Sequence, residues 1–183
     1  EPLPEPEPSL TGNMIAEWIT DETWQFSADG LGLPVAVTLT DGTATDDLGR
    51  TYEMGEALEY DVNGDGVPDV TVSLAEFDGN GFVELWYVWL GTEGALDGEP
   101  LAEQMVYPIA RMSRCGDVVH EVKATGQGVS IRETLRHPLD PGDCATGGTW
   151  HQTRELTVQM LGGEPYPILT SPVTAWGGVC PIP

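Results

Sequence analysis

Apolar and polar residues alternate along most of this chain with the two-residue period of a strand, not the 3.6-residue period of a helix. Val35-Ala36-Val37-Thr38-Leu39 runs into Asp41-Gly42, a dipeptide that tolerates the left-handed backbone of a two-residue hairpin turn. A second turn at Asp46-Asp47-Leu48-Gly49 precedes a strand over 50–54. Residues 81–90 are apolar on both faces, which predicts a central, doubly covered strand. Within it Trp86 and Trp89 have opposite parity, so they point to opposite faces and read as core, not as a flat platform for sugars. Residues 118–125 and 129–136 flank Gly126-Gln127-Gly128 and predict a hairpin. Its second strand places Val129, Ile131 and Leu135 inward. Ser130, Arg132, Thr134 and Arg136 fall outward, a basic face expected to meet the protein's own acidic half, with an acidic partner surface as the alternative. A long strand over 150–161 puts Trp150, Leu156, Val158 and Met160 on one side. Turns are expected at 139–143 and 162–165, and the stretch through Pro172, Pro181 and Pro183 reads as irregular chain or an edge strand. The exception to the strand period is 9–20, a short helix with Asn13 as cap and Ile15, Trp18 and Ile19 on one face. The fold class expected is mainly β: an antiparallel sheet, sandwich or partial barrel forming one domain over 11–183, with one short N-terminal helix.

Composition supports one core. The 183 residues are 40% hydrophobic and include six tryptophans, enough for a domain of this size to bury about 70% of its surface. The longest apolar run, 82–90, is already interrupted by Glu84 and falls short of the ~20 residues of a membrane-spanning helix.

Charge changes the picture more. Thirty Asp and Glu face seven Lys and Arg, a net charge of −23, which excludes most nucleic-acid binders because phosphate contacts need Lys and Arg. The imbalance is local. Residues 1–110 hold 23 acids and one base, Arg50, whereas residues 111–183 hold seven acids and six bases. Self-repulsion of that size opposes compaction unless a cation offsets it, so a cation site is expected in the first part.

Residues 61–69 read Asp61-Val62-Asn63-Gly64-Asp65-Gly66-Val67-Pro68-Asp69. Side-chain oxygens stand at positions 1, 3, 5 and 9, a glycine stands at position 6, and the Val67 carbonyl adds a further oxygen. Calcium takes 6–8 oxygens at about 2.4 Å and accepts such a flexible set, whereas magnesium demands a stricter octahedron. Asp61, Asn63, Asp65, Val67 and Asp69 are therefore the candidate ligands of a structural Ca²⁺. The twelfth position is Val72 rather than a bidentate Glu, so a complete EF-hand is excluded. Strand-like sequence on both sides, 57–60 and 70–74, predicts a strand-to-strand loop.

The chain opens with proline at every second position from Pro2 to Pro8, alternating mostly with glutamate. Such a segment favours an extended rod of about 3 Å per residue. We expect residues 1–10 to form a tether in a mature, trimmed chain. Cys115, Cys144 and Cys180 contain no Cys-x-x-Cys pair, which disfavours zinc. An oxidising compartment would give one disulfide and one leftover thiol, with Cys115–Cys144 preferred and Cys144–Cys180 the alternative.

The 61–69 loop resembles the Asp-x-Asn-x-Asp-Gly-x-x-Asp loops of FG-GAP and VCBS-type extracellular β repeats, in which calcium clamps a turn between strands. Together with Gly126-Gln127-Gly128-Val129 and 140–144, the succession of elements over 55–162 is similar to actinobacterial cell-envelope lipoproteins of the LppP/LprE type. That resemblance implies export, a lipid anchor, an extracytoplasmic location at the outer face of the cytoplasmic membrane or in the cell wall, and no catalytic residues. The alternating-proline rod, the calcium-type loop and the lack of a catalytic constellation make the leading expectation a non-enzymatic accessory or docking subunit of a membrane or envelope protein complex. The histidines are His120, His137 and His151, and the sequence contains no Gly-x-Ser-x-Gly, His-Glu-x-x-His or phosphate-loop motif. A calcium-dependent ligand or glycan-binding module is the alternative expectation, and a carboxylate-based hydrolase the third.

Overall fold

Alternating β-branched and aromatic residues pair into three antiparallel sheets, in a computed structural model that describes residues 9–28, 33–95, 100–114, 116–126, 128–140 and 147–175. In chain order the elements are α1 (Gly12–Trp18), a single 3-10 turn (Ile19–Asp21), β1 (Thr23–Phe26) and β2 (Val35–Thr38). There follow β3 (Thr43–Thr45), β4 (Thr51–Met54), β5 (Leu58–Tyr60), β6 (Asp69–Asp78), β7 (Gly81–Gly91), β8 (Ala102–Gln104) and β9 (Ala110–Ser113). The last five are β10 (Val118–Thr125), β11 (Gly128–Leu135), β12 (Trp150–Leu161), β13 (Glu164–Leu169) and β14 (Thr174–Ala175).

The largest sheet runs β3-β4-β6-β7-β8, with β5 sharing an edge of β6 and β9 sharing an edge of β7. It curls into a half-barrel, and β1-β2 forms a separate two-stranded ribbon. A side chain ties that ribbon to the sheet: Gln104 Oε1 accepts from Gln25 N–H at 2.7 Å and its Nε2 donates to Gln25 C=O at 3.1 Å. At the ribbon's other end Asp41 and Gly42 take positive φ, 50° and 75°. This is the tight turn expected of Asp-Gly, and it feeds β2 into β3.

Two apolar clusters fill the molecule. Ile15, Ile19, Trp24, Phe26, Tyr52, Val72, Leu85, Tyr87 and Trp89 form the first, inside the half-barrel. Trp89 meets Trp18 and Trp24 edge-on, at ring separations of 6.0 and 5.1 Å, so these tryptophans are core. Val62, Val88, Met105, Ile109, Val129, Ile131, Leu156 and Val158 form the second, between the half-barrel and the sheet of β10-β11-β12-β13, to which β14 adds on β12. Trp86 packs against this second cluster, on the opposite side of β7 from Trp89. No helix among the described residues is long and apolar enough to cross a membrane.

Several expectations need correction. The helix is capped by Thr11, whose Oγ1 accepts from Met14 N–H, while Asn13 lies inside it and bonds Glu17 across one turn at 2.8 Å. β11 is the second strand of its sheet and its outward row is only partly open: Ser130 and Thr134 are buried along with Val129 and Ile131, whereas Arg132 is exposed as expected and Arg136 half-buried. On β12 Leu156 and Val158 are buried, but Met160 is exposed and Trp150 borders on it, because the strand's ends overrun the core. The turn expected over 162–165 is confined to Gly162 and Gly163, and Glu164 already belongs to β13. The tether's residues 1–8, all three cysteines, residues 141–146, Pro181 and Pro183 lie outside the described residues.

Candidate functional site

The loop over 61–68 joins β5 to β6 and is knitted by its own polar side chains. Asp61 Oδ1 accepts from Gly64 N–H at 2.7 Å and Asp65 N–H at 3.2 Å, and Asp61 Oδ2 accepts from Gly66 N–H at 2.9 Å. Asn63 Oδ1 accepts from Asp65 N–H at 3.0 Å, Asn63 Nδ2 donates to Asp65 Oδ2 at 2.8 Å, and Asp65 Oδ1 accepts from Val67 N–H at 2.8 Å. Gly64 and Gly66 take φ of 77° and 86°, the left-handed conformation that only glycine adopts without strain. This crossing of side-chain oxygens and backbone amides is what an Asp/Asn/Gly-rich loop can form locally.

Asp69 closes the loop from below. It is fully buried, its Oδ2 accepting from Val62 N–H at 2.8 Å and its Oδ1 from Gly91 N–H at 2.9 Å. Gly91 is required there, since a Cβ would fall 2.2 Å from the Pro68 carbonyl oxygen. Burial pushes the Asp69 carboxyl up to about 6, against the two amide bonds, and the negative charges of Asp65 and Asp61 push in the same direction as burial. Burial also raises the neighbouring Tyr60 hydroxyl, which bonds Thr71 Oγ1 at 2.9 Å. Val62 fixes the loop to the second cluster: its side chain is buried and its carbonyl accepts from Thr157 Oγ1 at 2.7 Å. The loop thus touches β7 through Gly91 and β12 through Thr157, clasping the two larger sheets.

Of the five candidate ligands, Asp61, Asn63, Asp65 and Val67 sit together on this loop and Asp69 lies beneath it. Among the described residues, however, no three His, Cys, Asp or Glu side chains converge into a ready-made metal group. The carboxylates are turned onto loop amides. The donor chemistry still suits a hard cation, because every polar side chain in the loop offers oxygen and, apart from Asp61 Oδ1 with its two amide donors, each carboxylate oxygen of the loop accepts one bond and keeps a further lone pair. The single base of the acidic part, Arg50, is held elsewhere, 2.6 Å from Asp46 and 3.5 Å from Glu76.

Strand register assembles a second polar group that the sequence does not announce. Thr134 lies opposite His151 on β12, and a bulge between Val119 and Glu121 on β10 sets His120 beside it. Thr134 Oγ1 is 2.7 Å from His120 Nε2 and 2.8 Å from His151 Nδ1. One hydroxyl proton serves two rings, so Thr134 donates to one and accepts from the other. At 5% exposure the hydroxyl is closed to a substrate. His137 is apart, accepting from Leu139 N–H and packed on Trp150.

A third group is buried between the sheets. Glu133, 1% exposed, accepts from Arg154 Nε at 2.6 Å and from Gln152 Nε2 at 2.7 Å, and Arg154 also donates to the Ile109 carbonyl. Glu133 shares the inward parity of Ile131 and Leu135. A charged residue at that position signals a buried ion pair, but its partner 21 residues away cannot be read from spacing.

Comparison of the chain with family models, with curated proteins and with solved structures finds no match.

Proposed function

We propose that this chain is a non-catalytic, exported docking domain, an accessory part of a membrane or cell-envelope complex, in which the 61–69 loop takes one structural Ca²⁺. The observation that carries the metal reading is Asp69: a fully buried carboxylate, pressed by the charges of Asp61 and Asp65, with amides as its partners. A buried anion without a counter-charge is costly, and a divalent cation in the loop above it would supply that charge. Asp61, Asn63 and Asp65 through side-chain oxygens, Val67 through its carbonyl and Asp69 from below would hold the ion. Its contribution would be to stiffen the clasp between β7 and β12. Export and a lipid anchor rest on the likeness of 55–162 to the LppP/LprE-type lipoproteins, and a place in an envelope complex rests on the proline-rich opening, the 61–69 loop and the lack of a catalytic motif in the sequence.

The test is calorimetric titration with CaCl₂, with thermal melts in calcium and in chelator, on the wild type and on Asp65→Ala. Calcium at about 100 times its Kd should stabilise the wild type by about 2.7 kcal/mol and leave the variant unmoved. Absence of binding at millimolar calcium overturns the metal reading.

The alternative of a calcium-dependent ligand binder is favoured by a cleft of about 690 Å³ next to the clasp, lined by Trp18, Trp89, Glu22, Gln25 and Glu103. A calcium-dependent signal on a glycan array that is lost in Trp18→Ala would separate this reading from docking alone.

A further inference from the structure

All seven lysines and arginines lie among the described residues, and six of them have partners. Arg50, Lys123 and Arg154 are ion-paired, Arg114 donates to the Asn80 carbonyl, and Arg132 and Arg136 are engaged as well. Arg111 on β9 is the exception. It is half-buried, its Nε is shut off from solvent, and that N–H has no acceptor among the described residues. In a protein with more than four acids for every base, a guanidinium left without a carboxylate is not explained by a shortage of carboxylates.

Arg111 lines a cleft of about 440 Å³ between the half-barrel and the β11-β12 face. Pro108, Ile109 and Leu135 give it apolar walls, and the Glu133–Arg154 pair lies at its side. That pair is internally satisfied, since Arg154 spends its donors on Glu133 and on Ile109. Asp117 also borders the cleft, but it accepts from Arg136 N–H at 3.0 Å and makes no ion pair with Arg111. One unspent positive fork therefore stands in an apolar-walled slot.

We propose that this cleft binds a monocarboxylate with an apolar body, its carboxylate gripped by the Arg111 guanidinium and its hydrocarbon laid against Pro108, Ile109 and Leu135. A planar guanidinium matches a carboxylate through two parallel N–H bonds, and those bonds are short and strong when partly desolvated. The charge of the ligand follows from the charge of the protein. At −23 overall the field repels a phosphate or sulfate dianion twice as strongly as a single carboxylate, so one negative charge with buried apolar surface is the best compromise. This site is independent of the calcium loop and survives its failure.

Two sources share this chemistry, a free aliphatic acid and the carboxyl terminus of a peptide with an apolar last residue. Two-dimensional NMR on the intact chain tests both, following the Arg111 Nε–H and the amides of Ile109 and Leu135. The probes are octanoate against octanamide, and acetyl-Ala-Ala-Leu with a free against an amidated terminus. At least one free acid should saturate the three signals at millimolar or lower concentration and bind about tenfold or more tightly than its amide. Arg111→Gln should abolish that preference, and Arg111→Lys, which keeps the charge but not the fork, should retain part of it. Whichever acid binds names the source. Equal affinity for acid and amide in the wild type, or no saturation by either acid at about ten times that concentration, overturns the proposal without recourse to any variant. So does a preference that persists in Arg111→Gln.

Discussion

Two buried carboxylates, Asp69 and Glu133, are stabilised in different ways. Glu133 belongs to the part of the chain with nearly balanced charge, and it is met by a guanidinium and a carboxamide. Asp69 belongs to the part with 23 acids and one base, and it is met by two backbone amides and by repulsion from Asp61 and Asp65. The first is complete within the protein. The second becomes comfortable when a proton or a cation arrives. The lesson is that surplus charge matters less as a total than through the groups it leaves without counter-charge at buried positions.

The comparison breaks first at Arg154. Arg154→Met strands Glu133 in the core and should destabilise the protein by about 3–5 kcal/mol in denaturant titration, whereas the double variant Glu133→Met with Arg154→Met should recover most of that loss. Equal stability of the single and double variants would show that the pair is not the compensating unit.

The next effect is the pH dependence of the other carboxylate. Asp69's folded value, about 6, lies above the ordinary 3.8, so the folded state holds its proton more tightly than the unfolded chain does. In chelator, its contribution is fully present below pH 4 and is lost as pH rises through about 6. The decline is about 3 kcal/mol, since each tenfold gain in proton affinity on folding is worth about 1.4 kcal/mol. Asp69→Asn should flatten this part of the stability profile measured by denaturation between pH 4 and 7. Calcium should flatten it too, with proton release on binding near pH 6, and a slope unchanged by saturating calcium would separate the ion from Asp69.

The smallest effect sharpens the clasp itself. Thr157→Val removes the bond to the Val62 carbonyl and should lower stability by about 1 kcal/mol. If the loop stiffens the junction between the sheets, that variant should also weaken calcium binding several-fold.

Much of this architecture is legible in the chain because its signals are local. Asp41-Gly42, Gly126 with Gly128, and the alternation of Val129, Ile131 and Leu135 each specify a turn or a face within a few residues. The candidate loop is legible for the same reason. β13 is not, because Pro165 and Pro167 argue against a strand. The Thr170 N–H bond to the Glu155 carbonyl sets the register, so the amides of Tyr166 and Ile168 face β12 and the two prolines take the positions that need no donor. The helix cap is read two residues late because Asn13 and Thr11 are both good caps, and the structure uses Thr11. The His120–Thr134–His151 row and the solitary Arg111 were beyond reach, since each depends on a bulge or on the meeting of distant strands.

The Gln104 carboxamide, which stands in for a strand's backbone against Gln25, has a consequence for the order of folding. It joins residues 79 apart in the chain, whereas β6 and β7 pair across the two-residue turn between Asp78 and Gly81. Closing the longer loop forfeits more chain entropy before its bonds, those of Gln104 and that of Ser27 N–H to Tyr87 Oη, can form. The β1-β2 ribbon is therefore expected to dock after the β6-β7 hairpin has formed, and to open before it, exposing Trp24 and Phe26 while the hairpin's own amides stay protected from exchange.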